Sequence, residues 1–213
     1  MIQAPTTSSR DRRDFLAALA AMTLVVLASN ILVQHPVTVG GLQDYLTWGA
    51  FSYPVAFLVT DLSNRRFGPR GARRVVYAGF VLAVLLSVVL ATPRIAMASG
   101  FAFLAAQLLD IAIFSRLRGH AWWLPPFASS VVSSALDTAI FFSLAFYCGA
   151  LPGLGLTISQ TLGLAGIPDS CIALPWTSLA AADYLVKLAL AALSIAPYGA
   201  LVGLMRRRDG RFA

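Results

Sequence analysis

The chain has 213 residues, of which 58% are hydrophobic and only 12% are charged, and its formal net charge is +7. A soluble domain has about 45–50% apolar and about 25% charged residues, and it does not gather its apolar residues into long unbroken runs as this chain does. The composition therefore excludes an ordinary soluble domain. It predicts an all-α, polytopic membrane protein whose partner is the lipid bilayer.

Six segments are long and apolar enough to be transmembrane helices. They lie at residues 15–33, 46–62, 75–91, 95–114, 121–148 and 176–205. These spans predict one membrane domain at residues 15–205, between a basic N-terminus at residues 1–14 and a basic tail at residues 206–213. The first apolar run is longer than the core of a signal peptide and no cleavage site follows it, so we interpret it as a retained span.

The distribution of basic residues predicts the orientation of the spans. Fourteen of the 16 basic residues lie before span one, between spans two and three, between spans four and five, or after span six. By the positive-inside rule, both termini are expected in the cytoplasm. These arginines follow the membrane boundaries and form no separate basic domain, so direct binding of nucleic acid is not expected.

One long connection is predicted on the outer side, at residues 150–175. Cys148 lies just before it and Cys171 lies within it, and the two fit no metal-binding motif. They are either free thiols or a disulfide formed in an oxidising periplasm, and the sequence leaves both interpretations open.

Five ionisable residues lie within the apolar spans: Asp61, Asp110, Asp137, Asp183 and Lys187. Such a side chain costs about 3 kcal/mol at the centre of a membrane helix on insertion scales, and it persists where it faces a cavity, a partner or a solute. These positions are therefore the first candidates for a functional site. If some of the acids hold protons, proton movement would be coupled to solute movement, and the driving force stays open.

Two of the acids have a basic residue nearby in the sequence. Asp61 is four residues before Arg65, the spacing of an ion pair on one helix. Asp110 lies four residues before the end of its span, within reach of Arg116 or of water. A purely structural role is therefore an alternative for both.

The remaining three ionisable residues divide differently. Asp183 and Lys187 have the spacing of an ion pair and are expected to neutralise each other as a structural or coupling pair. Asp137 lies 16 residues after Ala121, about 24 Å along a helix, so no cytoplasmic arginine reaches it. We therefore expect Asp137 to be functional.

Three helix faces combine polar groups with aromatic rings, since residues three and four apart share a face. They comprise Tyr53, Phe57, Asp61 and Asn64 on span two; Phe103, Gln107, Asp110 and Phe114 on span four; and Ser130, Ser133, Ser134, Asp137 and Phe141 on span five. Carboxylates accept ring N–H groups, an amide donates and accepts, and aromatic rings stack. These faces favour a flat, nitrogen-rich heterocycle as the ligand. A metal ion would need a tighter oxygen cluster, and neither a metal nor a cofactor is expected.

The other motifs indicate helix packing or have no functional meaning. Ser129 and Ser133 form a small-xxx-small pair of the kind that lets membrane helices approach closely. The two histidines, His35 and His120, lie near span ends, and the chain has neither a GxSxG nor an HExxH motif. An enzyme is therefore not expected.

Several strings, taken in order, resemble a known family. They are LTWGAFSYP (46–54), FLVTDLSNRRFG (57–68), ARRVV (72–76), QLLDIAIF (107–114), Arg116 with Arg118, Trp122 with Trp123, DTAIFF (137–142) and DYLVK (183–187). The chain resembles the queuosine precursor transporter family, which is grouped with the bacterial vitamin uptake transporters. The resemblance extends over about residues 28–207.

The resemblance implies import of 7-deazaguanines, such as preQ0 or preQ1, for salvage into modified tRNA. It implies that Asp61 or Asp137 accepts from the N1–H and amino groups of the base and that Gln107 contacts its carbonyl edge. The stacking residues would be Trp48, Phe51 or Tyr53; Asp110, Asp183 and Lys187 also match the family motifs. Many relatives have an acid where this chain has Arg65, so the choice among these bases stays open.

An alternative function is the substrate-binding subunit of an energy-coupling-factor vitamin importer. In that interpretation, Ala17 and Ala21 on span one form the surface that contacts the coupling machinery. Transport by the chain without an ATPase module would reject it. A homodimer is also consistent with so short a chain, and the sequence leaves the oligomeric state open.

Overall fold

The structure is a computed structural model that describes residues 9–32, 35, 37–38, 47–90, 93–146 and 176–208. The helices in these ranges are α1 (Ser9–Leu32), α2 (Gly49–Leu90), α3 (Pro93–Leu117), α4 (Leu124–Phe146) and α5 (Trp176–Arg208). The predicted all-α class is confirmed. The predicted outer loop at residues 150–175, with Cys148 and Cys171, lies outside the described residues.

Three of the helices are long and apolar enough to cross a membrane, with candidate spans at Ala96–Leu117, Leu124–Phe146 and Thr177–Arg207. Their bounds agree within three residues with predicted spans four, five and six. The count of six spans and the orientation of the termini stay predictions.

Helix α2 covers predicted spans two and three and replaces the connection expected between them with a one-residue break. The break is at Gly68, where φ is 73° and ψ is 179°. This region of backbone space is open almost only to glycine, and Pro69 then starts the next helical stretch without an N–H group that would need a partner. We call residues 49–67 the first arm and residues 69–90 the second arm.

The first arm runs antiparallel to α1. Ser29 near the end of α1 contacts Ser52 near the start of the arm at 2.9 Å. At the other end, Arg66 Nε donates to Asp14 Oδ2 at 3.1 Å. Because the residue numbers fall on one helix as they rise on the other, the two helices pass each other in opposite directions.

The second arm returns along the same bundle. Gly79 lies against Met22, halfway along α1, and a Cβ atom at Gly79 would come within 2.6 Å of the Met22 side chain. The absence of a side chain at residue 79 therefore allows the close approach. A buried apolar core that includes Met22, Val75 and Phe103 joins α1, both arms and α3.

The remaining helices position the polar residues described below. Thr60 contacts Gln107, and Asn64 contacts Ile111, each pair 47 residues apart, so the first arm and α3 run in the same direction. Helix α5 packs antiparallel to α4, since Trp122, just before α4, lies against Gly199 and the later Asp137 contacts the earlier Lys187. Its outward leucines (Leu185, Leu193, Leu201 and Leu204) are 40–69% exposed, as expected for a helix that faces lipid.

Candidate functional site

Two carboxylates lie side by side in the interior, and we call them the carboxylate pair. Asp61 comes from the first arm of α2 and is 2% exposed, whereas Asp110 comes from α3 and is fully buried. The two groups interact electrostatically across the helix interface. A third helix, α4, also contacts the pair: Ser129 donates to Asp61 Oδ1 at 3.3 Å.

The carboxylate pair has no ion-pair partner among the described residues. The alternatives considered from the sequence, in which Asp61 pairs with Arg65 and Asp110 with Arg116, do not occur there. Both oxygens of Asp110 also lack a hydrogen bond of normal geometry. A buried polar group without a partner is costly, so the site is suited to a partner that comes from outside the chain.

An amide lies one turn before Asp110 on α3. Gln107 is fully buried, and its Oε1 accepts from Thr60 Oγ1 at 2.5 Å. This hydrogen bond fixes the orientation of the amide and leaves Nε2 as a donor without a partner. Gln107 and Asp110 therefore present one donor and two acceptors, all buried and unpartnered, along one face of α3.

A polar face on α4 continues from the carboxylate pair. Ser129, Ser133 and Asp137 are spaced four residues apart and are at most 3% exposed. They extend over about 12 Å of helix, and Ser133 Oγ has no hydrogen-bond partner within the described part of the chain. Ser130, Ser134 and Thr138 form a second buried row beside them.

Lys187 of α5 lies at the far end of this face and binds two acids, and we call this group the lysine centre. Its Nζ is 2.7 Å from Asp137 Oδ2 and 2.5 Å from Asp183 Oδ2. Thr138 accepts from Lys187 at 3.1 Å and donates to Asp183 at 2.8 Å. One ammonium group thus joins two helices and balances part of the negative charge of two carboxylates.

The lysine centre contains one contact that the sequence predicted, and it corrects one interpretation. The ion pair between Asp183 and Lys187 is present. The interpretation that Asp137 has no structural partner is wrong, because the packing of α4 on α5 brings Lys187 to it. Asp137 Oδ1 nevertheless remains buried without a hydrogen-bond partner.

Asn64, one of the predicted ligand residues, is engaged by the protein. Its Nδ2 donates to the Ile111 carbonyl at 3.1 Å and to Ser115 Oγ at 3.2 Å. Its Oδ1 accepts from Arg118 at 2.9 Å, and the same guanidinium also donates to the Asn64 carbonyl. Asn64 therefore fastens the first arm to α3 and to the residues that follow α3.

An apolar group lies between the carboxylate pair and the end of the bundle that carries the basic residues, and we call it the apolar plug. Phe114 and Tyr198 are buried with their ring centroids 6.3 Å apart, and Val202 packs with them. Arg118 lies over the Phe114 ring at 6.0 Å. Partial burial, together with the charge of Arg65, lowers the pKa of Arg118. The plug and Arg118 lie at the end of the bundle that carries the basic residues.

The predicted aromatic ligands lie at different distances from the carboxylate pair. Phe57 is buried, one turn before Asp61. Trp48 is 45% exposed, and its ring is tilted by 46° against that of Phe51, with ring centroids 5.7 Å apart. Trp48 lies about 20 Å along the helix from Asp61, so the structure does not bring it to the carboxylate pair. The side chain of Tyr53 lies outside the described residues.

Three residues at the site were not predicted as ligands. Ser129 was interpreted as a packing residue, although its spacing of eight from Asp137 places both on one helix face. Thr60 carried no signal, because its partner Gln107 lies 47 residues away. Tyr198 gave no signal either, and its hydroxyl is buried without a partner in the described residues.

Apolar helices that enclose carboxylates, an amide and hydroxyls define a helical membrane protein with a polar interior. A family model described as "Putative vitamin uptake transporter" matches residues 47–92 and 85–202. The chain belongs to this vitamin uptake transporter family.

Curated relatives agree with the resemblance drawn from the sequence motifs, which is confirmed. The queuosine precursor transporter of Escherichia coli (strain K12) is 34% identical over 207 residues, covering 87% of this chain and 85% of the relative. The probable queuosine precursor transporter of Haemophilus influenzae is 31% identical over 216 residues, covering 86% of this chain and 84% of the relative. A probable queuosine precursor transporter of Bacillus subtilis is 26% identical, covering 87% of this chain and 82% of the relative. No solved structure is significantly similar to the chain.

Proposed function

We propose that this chain is a multi-pass transporter of the bacterial inner membrane that imports queuosine precursors, the 7-deazaguanine bases. The names of the relatives support this role. The observation that carries it is the row of buried, unpartnered groups on α3, namely Gln107 Nε2 and the two oxygens of Asp110.

This row complements the edge of a guanine-like ring. Such a ring presents a carbonyl oxygen, then the N1–H donor and then an exocyclic amino donor. A carboxylate accepts two parallel N–H groups with its two oxygens, so Asp110 binds the N1–H and amino groups. The amide one turn away donates to the carbonyl. Phe57, next to Asp61 on the neighbouring helix, supplies an aromatic face.

Asp110 rather than Asp61 or Asp137 is thus the principal acceptor in this proposal. Asp61 already receives a hydrogen bond from Ser129, and Asp137 is bound by Lys187. Ser133 and Asp137 Oδ1 offer further contacts along α4, and the lysine centre holds that helix to α5. The solute would pass along this face between the outer side and the carboxylate pair.

The energy-coupling-factor alternative shares the internal site and differs in requiring a separate ATPase module. One residue of its supposed contact surface, Ala21, packs against the apolar core between α1 and α2. The purified chain, reconstituted alone in vesicles, decides between the two functions. Uptake of labelled preQ0 without any ATPase supports the transporter.

A salvage experiment tests the proposed function in cells. A strain that neither makes nor imports preQ0 is given the gene for this chain and a nanomolar supply of the base, and queuosine is measured in its tRNA by mass spectrometry. Queuosine is expected only when the chain is expressed. A strain that expresses the chain in its membrane and still lacks queuosine would refute the assignment.

A matched variant controls for expression. Ser63 is buried on the same arm as Asp61, but its hydroxyl donates to the Val59 carbonyl of its own helix at 2.7 Å. Ser63→Ala is therefore expected to preserve salvage, whereas Asp110→Ala is expected to abolish it.

A further inference from the structure

The carboxylate pair is the least compensated charge in the described interior. Asp61 and Asp110 are both at most 2% exposed and face each other. The buried ammonium group of Lys187 lies elsewhere, at 2.7 Å from Asp137 and 2.5 Å from Asp183. Among the described residues, the hydroxyl of Ser129 donates to Asp61, and the amide of Gln107, whose Nε2 has no partner, lies one turn before Asp110 on α3; both groups are uncharged.

Two adjacent carboxylates in a medium of low dielectric constant do not both stay ionised, because like charges repel and each loses its hydration. From this geometry we propose that the carboxylate pair binds one proton and that the chain imports its solute together with that proton. The inference rests on the proposed function and adds its driving force.

The arrangement assigns different tasks to the two acids. Asp110 has two free oxygens and accepts the N–H groups of the solute, which requires the ionised form. Asp61 then carries the proton, with Ser129 beside its Oδ1 at 3.3 Å. Each ligand removes repulsion that opposes the other, so proton and solute increase each other's affinity.

The charged and titratable groups around the pair differ between its two sides. Below it, Arg65 of the first arm, Tyr198 of α5 and Arg118 interact electrostatically with one another, and Tyr198 also with Asp61. Arg206 of α5 adds charge at that end. On the other side of the pair, α4 leads through Ser133 to Asp137, which shares the positive charge of Lys187 with Asp183. Arg116, in the last turn of α3, is exposed. The positive groups thus lie on the basic side, where they favour the ionised pair and release of the proton.

The step is a proton transfer, in which nothing is oxidised or reduced. One O–H bond forms when a carboxylate oxygen of the pair takes a proton from water on the outer side. The same bond breaks when that proton is returned to water on the basic, cytoplasmic side, and the solute leaves unchanged.

Proteoliposomes containing the purified chain test the inference, with labelled preQ0 as the probe because this base is uncharged. Acidifying the outside by one pH unit is expected to drive accumulation toward tenfold, since one pH unit is worth about 1.4 kcal/mol for one proton per solute. Solute added at equal pH is expected to acidify the lumen, as reported by trapped pyranine. Transport that never exceeds equal concentrations and moves no protons overturns the inference but leaves the proposed function standing. Absence of any transport counts against the proposed function instead.

Two substitutions locate the proton. Asp61→Asn preserves shape but cannot carry a proton, so the accumulation ratio is expected to fall to about 1 and the pyranine signal to vanish, with folding checked by size-exclusion chromatography. The matched control is Asp14→Asn, which removes a carboxylate paired with Arg66 at 3.0 Å on the surface and is expected to accumulate solute normally. Proton-driven accumulation that survives Asp61→Asn overturns the assignment. A folded Asp61→Asn protein that no longer binds preQ0 also overturns it, because Asp110 and Gln107 are unchanged.

Discussion

At the scale of single residues, Lys187 is the common ion-pair partner of two acids. Its ammonium group contacts one oxygen of Asp137 and one oxygen of Asp183 at once. Removing one partner of a buried ion pair leaves a charge without compensation, which is more costly than never having formed the pair.

Lys187→Met is therefore expected to lower the free energy of unfolding by about 3 kcal/mol, since the buried Asp137 and the partly exposed Asp183 lose their common cation. Asp137→Asn is expected to cost less, because Lys187 keeps Asp183 and Thr138. Thermal unfolding of the purified proteins in detergent measures both. Adding Asp137→Asn to Lys187→Met is expected to restore part of the loss, and equal melting temperatures for the wild type and Lys187→Met would contradict the role of Lys187.

Gln107 offers a test of recognition at the same scale. Gln107→Leu preserves the volume approximately but removes the Nε2 donor, and a hydrogen bond of this kind contributes about 1 kcal/mol. The affinity for preQ0, measured by equilibrium binding in detergent, is expected to fall roughly fivefold to tenfold.

The control for Gln107 is its own partner. Thr60→Val removes the hydroxyl that donates to Gln107 Oε1 but leaves Nε2 in place, so a smaller loss of affinity is expected. If Gln107→Leu binds preQ0 as tightly as the wild type, the amide does not contact the base.

The sequence predicted which polar residues share a helix face, but it did not predict which residues contact each other across helices. Spacing alone identified the ion pair of Asp183 and Lys187, because both lie on α5. The contacts of Asp137 with Lys187 and of Thr60 with Gln107 join residues that are 50 and 47 apart. Such contacts depend on how helices are rotated and offset, which helical periodicity does not specify.

At the scale of elements, the break in α2 sets the position of the carboxylate pair. The first arm must end at Gly68 for the second arm to return beside α1, and this places Asp61 two turns before the reversal. The predicted spans two and three lie on the two arms, so the sequence located the helices. It predicted a longer connection because basic and polar residues fill residues 63–74, yet most of these residues extend the helices.

Gly68→Ala is expected to destabilise the protein by about 1–3 kcal/mol, because its positive φ with extended ψ is strained for any residue with a Cβ atom. No atom lies within 4 Å of a Cβ atom built there, so the effect would come from the backbone alone. The melting temperature in detergent is the measurement.

Gly203→Ala is the matched control. Gly203 is helical and likewise has open space around an added Cβ atom, so alanine is expected to leave stability unchanged or to raise it slightly. Similar melting temperatures for Gly68→Ala and Gly203→Ala would show that the break tolerates an ordinary residue.

At the scale of the whole molecule, the helix contacts bring the basic segments to one end. Arg66 binds Asp14 beside the break in α2, and Arg118 binds Asn64 beyond the end of α3. Tyr198 of α5 packs on Phe114 at the same end. The sequence predicted this grouping from charge alone, and the packing is consistent with it. The homodimer stays a prediction.

Both termini are expected in the cytoplasm, since this basic end resists translocation. Alkaline phosphatase, which needs disulfides formed in the periplasm, is expected to be inactive when fused after residue 208, whereas green fluorescent protein there is expected to fluoresce. Fusion after Leu90, where α2 ends at the other end of the bundle, is expected to give the opposite result and serves as the control. An active phosphatase at the C-terminus would show that the molecule has the opposite orientation in the membrane. The carboxylate pair would then release its proton outward, and uptake driven by an acidic exterior would have no route.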